Sequence, residues 1–427
     1  MTNRTEEKLA LLGGTKLLDY EFKKYNSIGE EEIQAATNVL RSGVLSDYIA
    51  DWDQRFFGGP KVQEFENAIC EYFDVKHAIS VNSWTSGLVA AVGAIGVEPG
   101  DEIIVTPWTM SASATAIMHW NAIPVFADID RSSYNIDPTS IEKNISSKTK
   151  AIMSVDIFGR PADADPINQL AKKYDLKVIS DSAQAPGAKY KGRYAGTVSD
   201  IGGFSLNYHK HIHTGEGGVL VTDNDEYAER MQLIRNHAEV VLAKKKHKDL
   251  TNMLGHNFRL GEIECAIAIE QLKKLPKLIA SRQKIAEKLI DGLKDLSGLI
   301  IPPIGQEISH VYYVFPLQID KEFLGVSRNR ICDAISAEGL GVSKGYQNIH
   351  LLPMYQNKQA YGSKGFPWSS EYNSRSIDYA KGICPVAESL HDFDHFAFGL
   401  CNFDLSEKDV DIIIQIFKKV WNNLESL

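Results

Sequence analysis

Phe204-Ser205-Leu206-Asn207-Tyr208-His209-Lys210-His211-Ile212-His213-Thr214-Gly215-Glu216-Gly217-Gly218 and, upstream of it, Val178-Ile179-Ser180-Asp181-Ser182-Ala183-Gln184 are the segments from which the fold is read. The second is a Val/Ile run ending in an acid, the pattern of a buried strand with Asp181 at its carboxyl tip. In open α/β sheets ligands collect at the carboxyl ends of strands, so an acid there can reach into a crevice. The plainer role for Asp181 is to cap a helix that follows the strand. Lys210 follows an apolar strand and precedes Gly215-Glu216-Gly217-Gly218, where glycine lets the chain turn tightly and pass close to a ligand.

Outward from these segments the chain alternates between short apolar runs and helical patterns. Strands are expected at His77–Val81, Glu102–Thr106, Ile123–Asp128, Ala151–Asp156, Lys177–Ser180, Ile201–Leu206 and Gly218–Thr222. Helices are expected at Thr85–Ile95, Ser111–Trp120 and Asp163–Tyr174, and after Asn224 to about Asn236. This alternation predicts an α/β core with a mostly parallel sheet covered on both faces. Before the core, Ile33, Ala36 and Leu40 have helical spacing, and Pro60 opens a helix whose apolar face carries Val62, Phe65, Ile69 and Phe73. The first ~30 residues are expected to lie over the surface of the body. Glu262 begins a long helical segment reaching about Leu296, and Pro302-Pro303 marks a break. Beyond it, Val311–Leu317 reads as a strand, Arg328–Glu338 as a helix, Tyr346 to Ile377 as loop-rich, and Glu407 opens a final helix. The division is a large domain over 1–285, with an N-terminal extension, and a smaller C-terminal α+β domain over 286–427.

The chain has 427 residues, 44% hydrophobic and 24% charged, with a net charge of −9. That suits two soluble domains and argues against nucleic-acid binding, which usually needs a basic face. The run Lys244-Lys245-Lys246-His247-Lys248 is read as a solvated loop rather than a phosphate site. Cys70, Cys265, Cys332, Cys384 and Cys401 are odd in number and scattered, as reduced thiols of a cytoplasmic protein would be. The polar start has no signal-peptide pattern, and the apolar runs fall short of the ~18 residues of a membrane span.

A lysine and an acid disposed in this way match the needs of pyridoxal 5′-phosphate (PLP). The lysine forms a Schiff base with its aldehyde, and the acid keeps the pyridine nitrogen protonated so that the ring accepts electrons. Gln184, one helical turn beyond Asp181, can donate to the phenolic oxygen. Asn82-Ser83-Trp84-Thr85-Ser86-Gly87 lies between a strand and an apolar helix, where free N–H groups and the helix dipole favour a phosphate. Ser205 adds a hydroxyl.

These stretches, together with Gly100–Val105, Pro124–Asp130 and Gly255-His256-Asn257-Phe258-Arg259-Leu260, occur in the order and spacing of a known group. The sequence resembles the sugar aminotransferases of the DegT/DnrJ/EryC1/StrS family, which are fold-type I PLP enzymes. The resemblance implies a mixed, mostly parallel seven-stranded sheet between helices, PLP as cofactor, and amino transfer to a keto sugar, often nucleotide-linked, or to a keto-polyol, with glutamate as donor. It implies that Lys210 is the Schiff-base lysine and proton shuttle, Asp181 the acid on the pyridine nitrogen and Gln184 the partner of the phenolic oxygen. Ser83, Thr85 and Ser205 fall at or beside phosphate positions. Asn257 matches a residue that reaches the phosphate of a neighbouring subunit, which implies a homodimer with shared active sites. His350 resembles a histidine near the substrate. Trp84 stands where the family usually has glycine. Met110 falls where an aromatic ring commonly stacks on the cofactor; a thioether can also pack on a π face.

Several rival readings use the same residues. His209, His211 and His213 alternate and would share a face on a strand, a spacing that can bind metal; the reading adopted has no metal. Some relatives carry histidine in place of the lysine and are dehydratases, but counting back from the glycine run places Lys210, not His209 or His211, at the cofactor. The lysine and acid would also serve amination of a small phosphorylated ketone, or PLP-dependent decarboxylation or elimination on the same scaffold; their joint presence argues against a regulatory protein that binds PLP without turnover.

Overall fold

The computed structural model describes residues 8–373 and 375–427. Seven strands form the central sheet: β1 (His77–Val81), β2 (Glu102–Val105), β3 (Ile123–Phe126), β4 (Thr149–Val155), β5 (Lys177–Asp181), β6 (Ile201–Ser205) and β7 (Gly218–Thr222). Their order is β1-β7-β6-β5-β4-β2-β3. All neighbouring pairs are parallel except those of β7, which is antiparallel to β1 and β6. The strands are almost wholly buried, as expected of a sheet covered on both faces, which is why they read as continuous apolar runs rather than as alternation. All seven lie where the sequence places them.

Helices cover the sheet. Helix α1 (Glu30–Ser42) and α2 (Pro60–Phe73) precede it, and α3 (Trp84–Ala94) and α4 (Ala112–His119) begin just past the tips of β1 and β2. Val62, Phe65, Ile69 and Phe73 are buried as their spacing demands. The stripe on α1 behaves differently: Ile33 and Leu40 are 54% and 58% exposed, and Glu32 and Val39 face inward. Glu32 is accommodated by Gln271 and Lys274 of the 32-residue helix α5 (Glu262–Leu293). The basic run expected in a loop begins inside a short helix, Ala238–Lys245, where Lys244 pairs with Asp51 and Lys245 with Glu229.

The smaller C-terminal body has a four-stranded antiparallel sheet in which Phe315–Ile319 pairs with both Leu299–Ile300 and His395–Phe398, and Ser343–Lys344 pairs with His395–Phe398. The strand expected from Val311 starts later because Tyr312 has a left-handed φ of 51°. Residues before it are tied instead to the large domain, by Val311 N–H to Gly159 O and Val314 N–H to Phe158 O. The N-terminal extension also departs from the expected division. Leu9, Leu18 and Phe22 pack in the C-terminal core, not on the large domain. Buried Glu338 accepts hydrogen bonds from Ala10 N, Leu17 N and Lys419 Nζ, which fixes this strap in place.

Candidate active site

A cleft of about 520 Å³ opens at the carboxyl ends of β5 and β6, between the two bodies. Its walls include Ser83, Trp84, Thr85, Met110, Asp181, Gln184, Ser205 and Lys210, eight of the residues singled out in the sequence. Glycine at 218 is what lets β7 start against the floor of the cleft: a Cβ there would lie 2.8 Å from the Trp84 backbone.

Lys210 is 7% exposed. Among the described residues its Nζ has no hydrogen-bond or ion-pair partner, and it lies 4.3 Å from the centroid of the Tyr313 ring. Burial pushes the Lys210 amine down to about 8, with the negative charge of Asp181 partly offsetting that effect. His209 also lines the cleft, and burial together with the Lys210 charge lowers its imidazole to about 4. His211 points the other way, fully buried with Nε2 against Val311 O at 2.8 Å. The segment is a series of turns rather than a strand, so the three histidines do not share a face.

Asp181, at the tip of β5, is 4% exposed. Its Oδ1 accepts from Trp84 Nε1 at 2.7 Å and from Ala183 N at 3.2 Å, and its Oδ2 accepts from Ser113 Oγ at 2.7 Å. Gln184 Oε1 accepts from Phe158 N at 2.7 Å. That bond fixes which end of the amide is which, and leaves the Nε2 protons as the ones able to donate into the cleft.

Helix α3 starts at the cleft with Ser83 as its N-cap, the Ser83 hydroxyl accepting from Ser86 N. The amides of Trp84 and Thr85, in the first turn, have no partner among the described residues. Two unpaired N–H groups, the helix dipole and the hydroxyls of Ser83, Thr85 and Ser205 make a site for a dianionic phosphate. Ser205 Oγ accepts from Asn207 N, so its own proton is free to be donated. Lysine, acid, phenol-oxygen donor and phosphate cradle therefore fit PLP. Met110 borders the cleft and is 66% exposed.

Two further residues lie elsewhere. Asn257 is exposed on the surface and does not border this cleft; its backbone carbonyl accepts from Asn82 Nδ2 behind the phosphate loop. His350, expected near the substrate, is fully buried outside the cleft lining, with Nε2 3.0 Å from Glu388 Oε1. Ile349 N–H bonds Pro107 O, and Trp108 Nε1 donates to Asn348 Oδ1, which draws this turn into the core. The same segment supplies Tyr346 and Gln347 to the cleft instead. Tyr313, Tyr346, Gln347 and Ser343 form the wall from the C-terminal side. Sequence reading missed all four, although aromatic and amide residues in a loop-rich stretch were the available signal.

A buried lysine and an acid at the carboxyl ends of a seven-stranded sheet are the arrangement of fold-type I PLP enzymes. The chain belongs to the DegT/DnrJ/EryC1/StrS aminotransferase family, whose pattern matches residues 26–380. It is 33% identical to the spore coat polysaccharide biosynthesis protein SpsC of Bacillus subtilis, over 86% of this chain and 92% of SpsC. It is 33% identical to GDP-perosamine synthase of Caulobacter vibrioides, over 70% of this chain and 79% of that protein. The solved structure of Helicobacter pylori PseC, an aminotransferase involved in the biosynthesis of pseudoaminic acid, superposes with a TM-score of 0.77 at 28% identity, over 95% of this chain and 100% of PseC. By family and fold the protein is a PLP-dependent aminotransferase. Among the described residues no helix is long and apolar enough to cross a membrane.

Proposed function

We propose that the protein moves an amino group from L-glutamate to the carbonyl of a keto sugar, nucleotide-linked in the first instance, or of a keto-polyol. The observation that carries this reading is the single cleft shared by Lys210, Asp181 and the open end of α3, with a polar wall of Ser343, Tyr346 and Gln347 opposite. When bound, PLP would supply an aldehyde for imine formation and a ring that accepts an electron pair. Lys210 would hold it covalently and, once displaced by the donor amine, carry the proton between substrate Cα and the cofactor carbon. Burial, which lowers the free Lys210 amine to about 8, favours a lysine that both takes and returns a proton. Asp181 would hold the proton of the ring nitrogen. Gln184 Nε2 would donate to the phenolic oxygen, and Ser83, Trp84, Thr85 and Ser205 would bind the phosphate. Met110 would face the ring from the open side. Burial of Lys210 and Asp181 limits water at the reacting atoms.

A homodimer with shared sites is part of the proposal. Exposed Ile33, Leu40, Val44, Leu45, Leu250 and Leu254 supply apolar surface for it, and Asn257 stands exposed, able to serve a neighbouring subunit's phosphate. We place the enzyme in the cytoplasm, where its five unpaired cysteines would stay reduced.

The test is a half-reaction. Protein reconstituted with PLP should show the visible band of a lysine-bound cofactor, lose it with glutamate while 2-oxoglutarate appears, and regain it with the correct keto sugar or keto-polyol. Lys210→Ala should do neither. A protein that binds PLP but is unmoved by glutamate and by further amino donors would refute the reading.

A further inference from the structure

The indole of Trp84 is buried at 6% exposure, and the main chain around it is cut away to receive it. A Cβ at Gly87 would meet Trp84 Cε3 at 2.9 Å, and one at Gly203 would meet Cζ3 at 2.4 Å. Gly203 is the residue of β6 directly opposite Asp181 in the sheet register. The gap beside the strand tip is thus filled by the indole, oriented so that Nε1 meets the carboxylate at 2.7 Å. Ser113 Oγ, 0% exposed, donates to the other oxygen. Both oxygens accept, and the plane of the group is pinned from two elements, α3 and α4. Trp84 also sits on the phosphate cradle through its own backbone N–H. One residue thus borders both ends of the proposed cofactor site.

We propose that Trp84 is a positioning residue for Asp181: its indole N–H holds the carboxylate in the orientation that grips the ring nitrogen of PLP. This inference rests on the reading that the cleft takes PLP. A carboxylate has about four lone-pair directions, so the Trp84, Ala183 and Ser113 bonds leave room for one further donor, and they restrict where that donor can come from. Loss of the indole proton leaves Asp181 held only by Ser113 and Ala183 and weakens its hold on the ring nitrogen. A ring that is less firmly protonated withdraws fewer electrons, so the lysine–cofactor link keeps its own proton to higher pH.

The test compares the parent with Trp84→Phe, which keeps most of the ring volume and removes the donor, and with Asp181→Asn as the reference for a lost acid. Absorbance titration of the PLP-loaded proteins gives the pH midpoint of the visible band, and equilibrium titration gives PLP affinity. Melting of the apoproteins reports on folding. Trp84→Phe is expected to raise the midpoint in the same direction as Asp181→Asn, and to weaken PLP binding about tenfold, the size of one lost hydrogen bond to a charged group. A folded Trp84→Phe protein with the parent's midpoint and affinity overturns the inference and leaves the proposed function intact. A parent that never acquires the visible band overturns both. Should Trp84→Phe fail to fold, the indole N–H signals of the parent and of Asp181→Asn decide by NMR: one of the six tryptophans must move strongly upfield, and six unmoved signals overturn the inference.

Discussion

On the proposed assignment, the depressed amine of Lys210 sets how fast the apoprotein captures PLP as pH changes. Only the neutral amine attacks an aldehyde. Burial lowers Lys210 from an ordinary 10.5 to about 8, Asp181 holding it up from a lower value. With that value about one amine in ten is neutral at pH 7 and about nine in ten at pH 9, so the capture rate rises about tenfold and then levels off. A lysine with the ordinary value would go from about 0.03% to about 3% neutral over the same interval, about a hundredfold rise with no plateau. Stopped-flow mixing of apoprotein with excess PLP, followed by growth of the visible band, separates the two curves. The same measurement with a simple lysine derivative corrects for ionisation of PLP itself. Asp181→Asn removes the compensating charge and should shift the plateau to lower pH. A corrected log rate that climbs with unit slope past about pH 9.5 would mean that burial does not depress this amine.

The same geometry fixes the outcome of four substitutions. Below about pH 8 the apoprotein carries the full cost of burying the Lys210 charge; the folded state binds fewer protons than the unfolded between about 8 and 10.5, so stability rises with pH through that window. Lys210→Met should therefore stabilise the apoprotein by up to about 3 kcal/mol at pH 7 in urea unfolding, with the gain fading by pH 10.5. Gln184→Ala should cost about 1–3 kcal/mol, because the buried Phe158 N–H loses its acceptor. Gln184→Glu should keep the acceptor for Phe158 N–H yet alter the spectrum of bound PLP, since it loses the donor. Glu338→Ala removes the buried acceptor of three donors and should cost about 3–5 kcal/mol, with early proteolytic release of the strap around Leu9–Phe22.

Much of the molecule was legible from local pattern. Continuous Val/Ile runs bounded by glycine and acid marked the seven strands, because a strand buried on both faces needs no polar alternation. The glycine run fixed the register of Lys210, and strand-tip position singled out Asp181. Where local spacing misled, long-range packing was the cause. The stripe Ile33, Ala36, Leu40 has the period of a core face, yet helix α1 turns Glu32 inward because Gln271 and Lys274 are there to receive it.

Local sequence was enough for the succession of strands and helices along the chain, the lysine and acid at the carboxyl ends of their strands, and the helix start at the cleft, since each depends on residues close together in the chain. Which side chains meet was settled by packing across the fold. Trp84 and Asp181 are 97 positions apart, and His350 and Glu388 are 38 apart. Strand order and the docking of the C-terminal body bring such pairs together. That is why Tyr313 and Tyr346 entered the cleft, His350 withdrew from it, and Trp84 came to stand against the acid.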